Sequence, residues 1–70
     1  MTDIANLSRN LRRLRREREV SQRALGESIG TPQSYISALE HGLRPWKDEH
    51  IEQLAHALDV TRAVLLKPCR

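Results

Sequence analysis

Apolar side chains return along this chain at steps of three and four residues, in five short blocks, and residues that start or stop helices separate the blocks. That period, rather than strict alternation, is what an amphipathic helix requires. Ile4, Leu7, Leu11 and Leu14 draw one stripe on a helix expected from about Asp3 to Glu19. Ser21 is a good N-cap for a second helix, Gln22 to Ile29, with Leu25 and Ile29 inward and Gly30 as its stop. Thr31 and Pro32 read as N-cap and first residue of a third helix ending near His41, with Ile36 and Leu39 inward and Gly42 behind it. A loop over 42–47 carries Arg44, Pro45, Trp46 and Lys47, with Trp46 expected to cover the core edge. Asp48 is the expected N-cap of a fourth helix bearing Ile51, Leu54, Ala55 and Leu58. Thr61 is the expected cap of a short fifth helix with Val64, Leu65 and Leu66, stopped by Pro68. The class is all-α, as one domain over 1–70.

Seventy residues lie near the lower limit for a core without staples. A lone cysteine, Cys69, cannot close an internal disulfide, and it lacks a catalytic partner in sequence. His41, His50 and His56 do not have metal-ligand spacing, so no metal and no cofactor is expected. There is no paired-carboxylate or glycine-rich phosphate-loop signal, and the expectation is a protein without enzymatic activity. The free cysteine, the missing secretory signal and the lack of a long apolar run suggest a cytoplasmic protein with no membrane span.

Six arginines (Arg9, Arg12, Arg13, Arg15, Arg16 and Arg18) fall within ten residues, with only Glu17 among them, and the whole chain carries +3. Such a run attracts polyanions, or else forms a solvated helix face. The charge alone does not decide between the two.

The decisive pattern lies over about 21–42. Two short helices joined by a turn of three to four residues make a helix-turn-helix. Close crossing demands a small residue on the first helix, and Gly26 supplies it. The turn demands a residue without a Cβ clash, and Gly30 follows four positions later. The second helix must bury aliphatic side chains about one turn apart, as Ile36 and Leu39 do. Its outward residues Gln33, Ser34, Ser37, Ala38 and His41 are small or polar, which suits close contact with another molecule.

The run from Val20 to Gly42, with Ser21-Gln22 opening one helix and Ile36-Ser37-Ala38-Leu39-Glu40-His41-Gly42 closing the other, resembles the Cro/C1-type (XRE) helix-turn-helix family. Leu14-Arg15 and Leu54-Ala55-His56-Ala57-Leu58 extend the resemblance to about 11–66. Gly26 stands where the family usually has Ala, and Asp59 where it usually has Gly, both expected to weaken local stability.

The resemblance implies a five-helix lambda-repressor-like domain whose third helix enters the major groove while the second crosses the backbone. By position, Pro32, Gln33, Ser34, Ser37 and Ala38 would face base edges. A Gln33 amide can donate and accept at once, matching adenine N6 and N7. Gln22, Arg23, Thr31, Tyr35, Arg44 and Lys47 would meet phosphates, although Tyr35 can equally pack on Leu39. Arg15 and Glu40 match an internal salt bridge of the family. Arg9, Arg12, Arg13 and Arg16 would add diffuse attraction or remain solvated.

A single recognition helix covers few base pairs, so a homodimer on a palindromic double-stranded operator is expected, joined through Val60, Ala63, Val64, Leu66 and Trp46. The role would be transcription regulation, as repressor or autoregulator. The rival reading is a helix-turn-helix adaptor or antitoxin docking a protein, which would call for an apolar outward face on the third helix. A basic membrane-surface helix over 3–19 is weaker, because the core needs its apolar stripe.

Overall fold

A computed structural model describes residues 4–67, with Ile4 through its backbone alone. It consists of α1 (Ile4–Glu17), α2 (Gln22–Ile29), α3 (Gln33–Glu40), α4 (Asp48–Ala57) and α5 (Arg62–Leu66). The expected apolar positions converge. Leu7, Leu11 and Leu14 of α1 meet Leu25, Ile36, Leu39, Ile51, Leu54, Ala55, Leu58 and Leu65 in one cluster. Val20, Ile29, Tyr35, Trp46, Val60, Val64 and Leu66 pack around it, half-buried. No helix among the described residues is long and apolar enough to cross a membrane. The placement of Asp3, Pro68 and Cys69 lies outside the described residues.

Two buried polar side chains of α1 tie distant helix ends to it. Ser8 Oγ donates to the carbonyl of Leu39, at the end of α3. Asn10 Nδ2 donates to the carbonyls of Leu65 and Lys67, each at 2.7 Å, and so satisfies the last turn of α5.

One closing geometry recurs at the first four helices. After α2, Gly30 sits at φ 72° while its N–H reaches Glu27 O at 3.3 Å and the Thr31 N–H reaches Gly26 O at 2.8 Å. This double return is the Schellman motif, and it requires left-handed backbone at the middle residue. Gly42 after α3, Glu19 after α1 and Asp59 after α4 stand in the same place, at φ 70°, 53° and 57°. Val20 N–H to Arg15 O at 3.0 Å and Val60 N–H to Ala55 O at 2.9 Å complete the two motifs that lack glycine.

Four expected boundaries shift. α1 stops at Glu17, because left-handed backbone at Glu19 already belongs to the turn. The N-cap of α3 is Pro32, with extended backbone, and not Thr31. Thr31 donates its N–H to the end of α2 and buries its hydroxyl without a partner, so it cannot cap the next helix. That helix ends at Glu40, with His41 as its C-cap. Lys47 rather than Asp48 is the N-cap of α4, since its carbonyl accepts the N–H groups of His50 and Ile51. Asp48 lies in the first turn with Glu49, where carboxylates suit the helix dipole. Thr61 does occupy the N-cap of α5, but its side chain makes no capping bond.

Candidate nucleic-acid interface

Ser21 Oγ accepts the Ala24 N–H at 3.0 Å and starts α2 beside the end of α1. The turn leading into α3 then passes α2 so closely that a Cβ on Gly26 would stand 2.6 Å from the Thr31 carbonyl oxygen and 3.2 Å from the Pro32 carbonyl carbon. Glycine at 26 is therefore what this crossing demands. The expectation of a weak point relative to alanine is corrected by that contact.

The crossing aligns a chain of polar contacts that runs from the interior to the surface. Arg15 grips Glu40 with two donors, Nε to Oε2 at 2.6 Å and Nη2 to Oε1 at 3.2 Å, and also donates Nη1 to Val20 O at 3.1 Å. The Glu40 side chain is 1% exposed, so its charge is held where water cannot screen it. Gln22 Nε2 donates to Glu40 Oε1 at 3.1 Å, and Gln33 Nε2 donates to Gln22 Oε1 at 3.4 Å. A carboxylate only accepts, so the Gln22 amide must turn its nitrogen inward and its oxygen toward Gln33. Gln33 in turn gives one N–H to Gln22. Its carbonyl oxygen and second N–H are left over, which is one acceptor and one donor on an exposed amide.

Pro32 and Ser34 are exposed beside Gln33, while Ser37 and Ala38 are half-buried on α3. Arg23 is exposed and faces Glu27 at 3.7 Å. Arg44 and Lys47 are exposed and have no ion-pair partner among the described residues. They line a cleft of about 400 Å³ together with Pro32, Ser34, Tyr35 and His50. Tyr35 is half-buried against the core, with its hydroxyl 2.8 Å from His50 Nδ1. Thr31 lines the same cleft, but its buried hydroxyl offers no outward donor. Along α1, Arg13 and Arg18 pair with Glu17, whereas Arg9, Arg12 and Arg16 make no ion pair among the described residues. No group of three or more His, Cys, Asp or Glu among them is placed to hold a metal ion.

Sequence reasoning missed His50 and the Gln22–Gln33 contact. Both join residues 11 to 15 positions apart on different helices, and no spacing within one helix signals them.

The sequence model of the family described as "Helix-turn-helix domain" matches residues 6–66. The chain belongs to this family. Solved structures place it among helix-turn-helix regulators of the Cro/C1 type. A hypothetical transcription factor from Neisseria is 34% identical, over 93% of this chain and 75% of that one, with a TM-score of 0.87. The restriction-modification controller protein C.AhdI from Aeromonas hydrophila is 33% identical over 90% and 91%, with a TM-score of 0.84. The P22 c2 repressor protein, solved in complex with a synthetic operator, is 28% identical over 87% and 92%, with a TM-score of 0.79. No curated protein sequence matches the chain. The five helices and their order are those of the lambda-repressor-like helix-turn-helix domain, and the family is one of DNA-binding regulators.

Proposed function

We propose that this helix-turn-helix protein binds duplex DNA sequence-specifically as a homodimer and regulates transcription in the cytoplasm, as a repressor or autoregulator. Residues 1–70 act as one domain, and α3 lies in the major groove. The observation that carries the reading is the polar chain ending at Gln33. It leaves an exposed amide with one acceptor and one donor, the pair that adenine N6 and N7 match. Pro32, Ser34, Ser37 and Ala38 complete the base-facing surface. Gln22, Arg23, Tyr35, Arg44 and Lys47 hold phosphates on either side. Thr31 lines the cleft, but its N–H is given to Gly26 O and its hydroxyl is buried, so it is left out of the phosphate-holding set.

Two half-sites on one face of DNA lie about 34–36 Å apart. The described backbone of one copy extends 27 Å along its longest axis, which is short of that separation. Val60, Ala63, Val64 and Leu66, with Trp46, supply the surface for a second. The adaptor alternative lacks support at α3, because Leu43 is the sole large apolar side chain exposed among the described residues and it lies beyond the helix.

Selection from random duplexes followed by shift assays tests the reading. Gln33→Ala is expected to lose about 1–3 kcal/mol of sequence discrimination while keeping non-specific binding. Arg44→Ala is expected to weaken all sequences alike and to lower the salt slope by about one. Gln33→Ala binding the selected site as well as wild type would remove the base-reading role.

A further inference from the structure

One ionisable ring in the cleft beside α3 has no role in the reading above. His50 Nδ1 and Tyr35 Oη stand 2.8 Å apart, and the two rings meet edge to face with centroids 5.2 Å apart. Arg44 and Lys47 line the same cleft, and no carboxylate does. We propose that His50 belongs to the phosphate-binding surface and that its protonation makes DNA affinity depend on pH. The proposal rests on the DNA-binding reading and adds a form of regulation to it.

The argument is one of donors and acceptors. A phosphate oxygen only accepts, and a neutral imidazole carries a single N–H. With Nδ1 bare, the Tyr35 hydroxyl gives its proton to the ring and shows a phosphate only lone pairs. With the proton on Nδ1, the hydroxyl is free to donate outward, but Nε2 is then the bare nitrogen. The imidazolium alone donates at both nitrogens and still leaves the Tyr35 O–H available. It also adds a positive charge beside Arg44 and Lys47.

The charged and titratable groups around the ring are Tyr35 from α3 and Arg44 and Lys47 from the loop, with Glu49 preceding it on α4 and exposed to solvent. A phosphate bound beside the ring brings negative charge to it and favours its charged form over the neutral one. Binding therefore takes up a proton. Affinity rises as the pH falls through the imidazole range, from about 8 to about 5.5.

Anisotropy titrations of the full chain test this, using a labelled duplex of arbitrary sequence and about 30 base pairs at about 50 mM salt. The two conditions are pH about 6 and pH about 8. Wild type is expected to bind roughly two- to sixfold tighter at the lower pH, the ratio that a rise of about half to one in the ring's pKa on binding gives when pH about 6 lies inside the imidazole range rather than below it. His50→Gln keeps an amide beside Tyr35 without a titrating ring, and is expected to bind with most of that ratio gone. His56→Gln alters an exposed ring on α4 that does not line this cleft, and is expected to keep the ratio. Tyr35→Phe gives an independent route and is expected to lose more affinity at the lower pH than at the higher. A wild-type ratio near one, or a ratio that His50→Gln retains, overturns the role of His50 and leaves DNA binding standing. No duplex binding at either pH overturns the DNA-binding reading, and this proposal with it.

Discussion

Glu19 and Asp59 hold left-handed backbone that glycine adopts freely and a residue with a Cβ adopts at a cost of roughly 1–2 kcal/mol. Glu19→Gly is expected to raise stability by about 1 kcal/mol, seen as a rise of about 4–8 °C in Tm. Asp59→Gly is expected to gain less, because a short Asp side chain tolerates this region better than Glu does. Unchanged melts would mean that the freedom glycine adds to the unfolded chain cancels the strain it relieves. At Gly26 the sign reverses. Alanine there would gain about 0.8–1 kcal/mol of helix propensity. Its Cβ, however, would stand 2.6 Å from a backbone oxygen, and overpacking of this kind costs about 1–3 kcal/mol. Gly26→Ala is expected to lower Tm, and a higher Tm would show that the turn yields easily.

Among the helices, Glu40 is where α1, α2 and α3 are joined, through Arg15 and Gln22. Glu40→Ala would strand a half-buried guanidinium and release the Gln22 amide. Urea unfolding is expected to show a loss of about 3 kcal/mol, against almost none for Arg13→Ala at the exposed Arg13–Glu17 pair. Equal effects of the two would remove the special weight given to burial. Most of this level was legible in the sequence, because Leu7, Leu11, Leu14, Leu25, Ile36, Leu39 and Leu54 fall on helical faces that only a shared core can satisfy. Helix starts were harder to read. Thr31 and Asp48 are both good capping types, yet the end of α2 takes the N–H of Thr31, and α4 begins one carbonyl earlier, at Lys47. At the candidate interface, Gln33, Arg44 and Lys47 could be singled out by position. The link from Gln33 back to Glu40, and the Tyr35–His50 pair, depend on how helices cross, and no local pattern encodes that.

At the scale of the whole molecule, the proposed homodimer, joined through the α5 surface, would tie occupancy to protein concentration. Ala63 is exposed on α5 and contributes nothing to the core, so Ala63→Glu tests the surface without endangering the fold. Its melt is expected to match wild type, while sedimentation shifts toward the monomer and the DNA titration becomes less steep. A variant that sediments and titrates like wild type would move the dimer contact elsewhere. The chain of contacts from Arg15 to Gln33 has one more effect at this scale. Under the proposed function the grip on phosphates would depend on charges at the rim, whereas the orientation of the Gln33 amide depends on three helices staying in register. Warming that loosens α1 short of unfolding would blur recognition before it weakened adhesion. Heat would then leave the proposed regulator still bound to DNA, though no longer telling one sequence from another.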